Sequence, residues 1–151
     1  MAWPRALEFL ILTAARTGDI IGNDREDQPP MRWSHVDFRS GIWTVPKTKK
    51  IEQHRAPLSN QAIDILKPMK TDDETDKIGD VVFSGSKKGK SLSNGSMLRV
   101  LDRMGCGELT VHGFRATFKT WARECTNFRP MLLNAHGQRS SYSAYQRGDF
   151  I

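Results

Sequence analysis

A chain of 151 residues, 38% of them hydrophobic, is long enough for one domain with its own core. Its 23 Lys and Arg against 17 Asp and Glu give a formal net charge of +6 and a pI near 9.6, which favours a polyanionic partner over an acidic one. The two cysteines, Cys106 and Cys125, form no disulfide framework and lack zinc-finger spacing, so neither a stapled secreted scaffold nor a structural metal centre is expected. The longest apolar run, Leu7 to Ala15, contains Glu8 and Thr13 and is too short and polar for a membrane span. The opening "MAWPRALE" lacks the pattern of a signal peptide, and the cysteine usage suits a reducing cytoplasm.

Taken in chain order, Pro4 fits a first helical turn, and Trp3, Leu7, Leu10, Ile11 and Ala14 follow helical spacing, with Gly18 as the stop. "GNDREDQPPMRW", 22–33, is polar with a Pro-Pro pair and reads as an exposed loop. "GIWTVPKTKKIEQHRAPLS", 41–59, reads as two short strands around a basic turn. Ser59 is a candidate cap for a helix over 61–69. An acidic loop follows at 71–80, then a third short strand, "VVFS", at 81–84, and a basic turn at 85–90. Ser93 caps a helix whose inner face carries Met97, Leu101 and Met104. Thr110 caps the next helix, which runs to Thr126 and places His112 in its first turn. In that helix Phe114, Phe118, Trp121, Ala122 and Cys125 form an apolar stripe, with His112, Arg115, Lys119 and Arg123 roughly opposite. The remaining residues hold one or two short helices. The sum is a mainly α-helical α+β domain with a small three-stranded sheet, without repeats or an internal linker.

Three tempting motifs fail on spacing. "GSKKGKS", 85–91, has one residue too few between its glycines for a phosphate-binding P-loop and reads as a solvated basic turn. Asp72, Asp73, Glu74 and Asp76 lack the spacing of a calcium loop. Ser140 and Ser141 near His136 have no GxSxG elbow beside them.

What remains is a set of groups at unusual places. Arg16 ends an apolar helix, Lys49 sits at the tip of the hairpin, and His112 and Arg115 share a helix face. His136 lies in "NAHG", and Tyr145 follows nine residues later. Each alone has a structural explanation: a helix-end cation, a solvated charge run, a packed histidine, a half-buried aromatic.

In this order, "TAARTGDIIG", "VPKTKKIEQHRAPLS", "LTVHGFRATFKTWA" and "AYQRGD" resemble the catalytic domain of tyrosine recombinases, the phage-integrase family, especially integrases of prophages and genomic islands. The resemblance covers roughly 5–150 apart from the 22–32 loop. It implies a helical catalytic domain with a three-stranded antiparallel sheet, and a DNA-cleaving site of Arg16, Lys49, His112, Arg115, His136 and Tyr145. Asp19 matches the family's acidic residue three positions after the first arginine. Lys49 is chosen over Lys47 and Lys50 because it lies eight residues before Pro57. Tyr145 is chosen over Tyr142 because "AYQRGD" follows the family pattern. The resemblance further implies that residues 1–151 are a single C-terminal catalytic domain, a fragment without the N-terminal core-binding domain.

The chemistry explains the residue types. Cleaving a phosphodiester builds negative charge on a five-coordinate phosphorus, which permanently charged guanidinium forks can hold without a divalent metal or another cofactor. The resemblance implies that Tyr145 attacks phosphorus to give a 3′-phosphotyrosine and a 5′-hydroxyl. Lys49 is then the general acid, His136 a hydrogen-bond donor to the phosphate and Asp19 an organiser of its neighbours. Lys87, Lys88, Lys119 and Arg123 are candidates for DNA-backbone contacts. The implied partners are a double-stranded attachment site and, for the full-length protein, three further copies in a tetramer on DNA. Two other readings stay open: a remnant that only binds DNA, and a topoisomerase of type IB that relaxes it.

Overall fold

The computed structural model describes residues 2–46, 48, 52–70, 80–86 and 90–126. Five α-helices are described: α1 (Ala2–Thr13), α2 (Thr17–Ile21), α3 (Asn60–Leu66), α4 (Asn94–Arg103) and α5 (Gly113–Cys125). Three strands, β1 (Val36–Asp37), β2 (Ile42–Val45) and β3 (His54–Pro57), form one antiparallel sheet in the order β1-β2-β3. The expected class, mainly helical with a small three-stranded sheet, is the one found.

The core gathers around α1. Its apolar face buries Ala6, Leu7, Phe9 and Leu10, and α1 packs against α3, α4 and α5. Phe9 is the hub: its ring lies 5.6 Å from that of Trp43 on β2 and 5.6 Å from that of Phe83. All three rings are fully buried, and burying an aromatic of this size is worth roughly 1.5–3 kcal/mol. Along β2 burial alternates, so Trp43 and Val45 face inward. Their partners across β3, Ala56 and His54, share that face.

Several local expectations need correction. The first helix does not run on to Gly18. It breaks at Ala14, which adopts a left-handed conformation with φ 49°, and the chain restarts in α2 with Arg16 as its extended N-cap. Gly18 lies inside α2 because Gln28 crowds it: a Cβ there would come within 2.9 Å of the Gln28 Oε1.

The 22–33 segment is not simply exposed. An antiparallel bridge between Asn23 and Gln28 closes a 3-10 turn, Asp24–Glu26, and the chain beyond it buries Gln28 and Met31. "VVFS" is core but not strand. Val81, Val82 and Phe83 are buried, yet the backbone there bonds only piecemeal, Val82 N–H to the Met31 carbonyl at 3.0 Å and Leu92 N–H to the Phe83 carbonyl at 3.2 Å. An apolar run of this length reads as strand whether or not a partner edge lies alongside. The third strand is instead β1, whose two residues were too few to register as a pattern.

The caps largely follow the sequence. Ser59 Oγ accepts from Ala62 N–H at 3.2 Å, and a 3-10 turn over Lys67–Met69 completes the helical stretch. Ser93 precedes α4, which buries Met97 and Leu101 but leaves Met104 exposed past its end. Thr110 Oγ1 accepts from Gly113 N–H at 3.0 Å, so α5 begins one residue after His112 rather than before it.

Candidate functional site

The site is built from the break between α1 and α2 outward. Arg16 is half-buried in extended backbone, and its N–H donates to Asp19 Oδ2 at 2.9 Å while Asp19 N–H donates back to the Arg16 carbonyl at 3.0 Å. This reciprocal pair pins the arginine to the first turn of α2, where an acidic side chain also meets the positive helix end. Asp19 is only 2% exposed. Its other oxygen accepts from Gln28 Nε2 at 2.6 Å. The loop outside the resemblance thus supplies a buried hydrogen bond to the carboxylate, and no sequence signal singled out Gln28 for this work. Gly22, at φ 84°, makes the return possible: a Cβ there would sit 3.0 Å from the Gln28 carbonyl oxygen and the Pro30 nitrogen.

Arg115, on α5, feels the charges of both Arg16 and Asp19. It was expected on the cationic outer side of that helix. The structure buries it, at 7% exposure, together with Ala122, whereas Phe114 and Phe118 are half-buried and Trp121 and Cys125 are exposed. The inward face of α5 is therefore rotated from the apolar stripe. Burial, then the Arg16 charge, lowers the Arg115 pKa from its ordinary value, and Asp19 acts in the opposite direction. Arg115 remains a cation, since an arginine is not deprotonated in a protein. Its Nη1 is buried and has no hydrogen-bond partner among the described residues.

His54 is the residue the sequence reading missed. It opens β3 opposite Val45, on the inward face of the sheet, and its Nε2 is buried. Burial pushes its pKa below the usual histidine value, as do the charges of Arg16 and Arg115. Asp19 and a hydrogen bond to the Glu52 carbonyl push it up. Charge interactions thus link the start of α2, the start of β3 and the first turn of α5. A histidine at an inward strand position, where alternation calls for an apolar residue, was the available signal.

His112 is exposed at the residue preceding α5. Lys119 is half-buried further along that helix, and Arg123 is exposed, 3.5 Å from Glu124 Oε1. Lys49, Lys87, Lys88, His136 and Tyr145 lie outside the described residues, as do Tyr142, Ser140 and Ser141. Among the described residues no helix is long and apolar enough to cross a membrane.

A helical domain with this small sheet, and the sequence that forms it, match known proteins in both sequence and fold. The model of the phage integrase family matches residues 4–125, and the chain belongs to that family. It is 32% identical over 136 residues to IntB of Escherichia coli strain K12, an alignment covering 74% of this chain and 34% of that one. The chain therefore spans about a third of that relative's length. Its fold is similar to that of XerA recombinase, with a TM-score of 0.64 at 15% identity, over 96% of this chain and 55% of that structure.

Proposed function

We propose that this chain is the DNA-cleaving portion of a site-specific recombinase. Membership of the integrase family places it among DNA recombination proteins. The observation that carries the finer reading is Arg115. A guanidinium with a buried, unpartnered nitrogen is costly unless it receives an acceptor. The charge of a second arginine, Arg16, reaches it, and Asp19 is the carboxylate that acts against that charge. That excess of buried donors and positive charge suits the non-bridging oxygens of a phosphodiester.

In this reading Arg16 and Arg115 hold the scissile phosphate and stabilise the charge that builds on it, with His112 and His136 as further donors. Asp19 fixes the direction of Arg16. Tyr145 attacks phosphorus, its phenolic proton is lost, and the bond to the 5′ oxygen breaks. Lys49 protonates that oxygen. The product is a 3′-phosphotyrosine, and because the ester conserves the bond energy, a 5′-hydroxyl from another strand reverses the step. Lys87, Lys88, Lys119 and Arg123 contact the flanking backbone. The partner is a duplex attachment site, the full-length protein acts in the cytoplasm as a tetramer on it, and the chemistry needs no cofactor.

The test uses a nicked suicide duplex carrying the attachment site of the element that encodes the chain, resolved on a denaturing gel. The expected result is a covalent adduct that Tyr145→Phe abolishes. Salt-dependent binding without an adduct would instead mark a DNA-binding remnant, and supercoil relaxation without site preference a topoisomerase-like activity.

A further inference from the structure

Gln28 stands in the stretch that the family resemblance skips, yet its side chain ends on the site's buried carboxylate. Its Nε2 donates to Asp19 Oδ1 at 2.6 Å. Both residues are buried, Gln28 at 4% exposure and Asp19 at 2%. The second carboxylate oxygen, Oδ2, accepts the Arg16 N–H at 2.9 Å. Each oxygen of Asp19 thus has its own donor, one from the backbone it holds and one from the loop.

We propose that Gln28 is a positioning residue of the cleavage site: its amide locks the Asp19 carboxylate in the orientation that holds the Arg16 backbone, so the 22–32 loop helps to set the rate of DNA cleavage. The inference rests on the phosphate-site reading above and extends it to a side chain to which that reading gives no part.

The loop and α2 are built around that amide. Asn23 and Gln28 exchange both backbone hydrogen bonds, at 2.8 and 3.0 Å, which fixes where the Gln28 side chain starts. Gly18 leaves room for its far end, since a Cβ there would come within 2.9 Å of Gln28 Oε1. The bond to Asp19 then decides which way the amide faces: with its oxygen and nitrogen exchanged, two acceptors would meet where one donor bond now stands. Beyond Gln28, Met31 N–H donates to the Ile20 carbonyl at 2.9 Å, tying the loop's exit to the helix that carries Asp19. A carboxylate held at one oxygen turns readily about its last side-chain bond. Held at both, it turns only by giving up a buried hydrogen bond. Any shift of the Arg16 backbone passes to its guanidinium, and misplacing a catalytic group by about 1 Å costs up to about a hundredfold in rate.

The experiment compares Gln28→Ala, Gly18→Ala, the double variant and Gln28→Glu in the intact chain, each first shown to be folded by circular dichroism. It reads single-turnover adduct formation on the nicked suicide duplex at saturating protein, and duplex affinity separately. Gln28→Ala and Gly18→Ala should each slow adduct formation by about tenfold and change affinity by less than about twofold, and the double variant should be no slower than either. Gln28→Glu separates a hydrogen-bonding role from mere filling of space. With both carboxyl groups ionised it repels Asp19, and with one proton between them it restores the missing donor. Its rate relative to the wild-type chain should therefore rise by about tenfold from pH 8 to pH 6. Arg16, Arg115 and His54, the other charged or titratable groups that act on Asp19, are the same in both chains, so the ratio reads position 28. If folded Gln28→Ala cleaves as fast as the wild-type chain, or if the Gln28→Glu ratio stays flat with pH, the inference is overturned and the phosphate-site reading stands. If the wild-type chain itself forms no adduct, that reading falls and this inference with it.

Discussion

The two arginines of the pocket are held in opposite ways. Arg16 is fixed locally: its backbone exchanges hydrogen bonds with Asp19, and Asp19 is held in turn by Gln28. Arg115 is fixed from a distance, by the packing of α5 against α1, and its Nη1 is left without a partner among the described residues. The first arrangement fixes the backbone from which the arginine projects before any ligand arrives. The second makes a donor whose buried position is costly until an acceptor completes it. The contrast teaches that orientation and unmet demand in this pocket come from different parts of the chain, so they can be disturbed separately.

The sharpest way to break the pairing is at Arg115. Arg115→Lys keeps the charge but loses the planar fork, and it should lower the cleavage rate about a hundredfold, roughly 3 kcal/mol of transition-state stabilisation, as read from single-turnover adduct formation. The fold should survive, because one unpartnered donor is replaced by a more flexible one. Next in size is the local side. Gln28→Ala removes the donor to a buried carboxylate and should cost about 1–3 kcal/mol in urea unfolding, with a smaller loss of cleavage as Asp19 loosens. If Gln28→Ala lowered cleavage as much as Arg115→Lys while leaving stability intact, the division between the two sides would not hold.

Acid provides a gentler probe of the same division. Burial, foremost, keeps His54 below its ordinary pKa in the folded chain, and His35 is depressed in the same way, with Arg32 lowering it further and Asp80 raising it. The unfolded chain therefore binds more protons below about pH 6.5. Stability is full above that pH and declines as pH falls through it, so the Tm should drop between pH 7.5 and 5.5. His54→Gln should drop less. The smallest effect belongs to the outer face of α5. Arg123→Ala, at an exposed position, should weaken binding to all duplexes alike and reduce the slope of log K against log salt by about 1, leaving the Tm unchanged within about 0.5 kcal/mol of stability.

What the sequence disclosed, and what it hid, follows the same line. Arg16, Asp19 and Arg115 could be picked out by order and residue type, because phosphate chemistry demands particular side chains. The orientation of α5 could not. Helical periodicity groups apolar residues and assigns them the inside, but here a guanidinium takes an inward place, where the charge of a buried carboxylate reaches it. His54 was hidden for the same reason, being a polar residue at an inward strand register. Gln28 was hidden by the company it keeps. It lies in a stretch of charges and prolines that reads as loop, and only the chain's return past α2 makes it structural. The strand expected at 81–84 failed on a different count, since hydrophobicity reports burial and says nothing of which edge is available.

The bridge between Asn23 and Gln28 has a practical corollary. Their paired backbone bonds, 2.8 and 3.0 Å, cinch the neck of the turn, and outside that neck Asp24, Arg25 and Asp27 face water. An affinity peptide or fluorophore spliced between positions 25 and 26 would hang from a closed loop whose base does not feel its length. The same splice one step past Gln28 would pull on the carboxylate that holds the Arg16 backbone. For anyone wishing to label this domain without blunting it, the usable window is three or four residues wide.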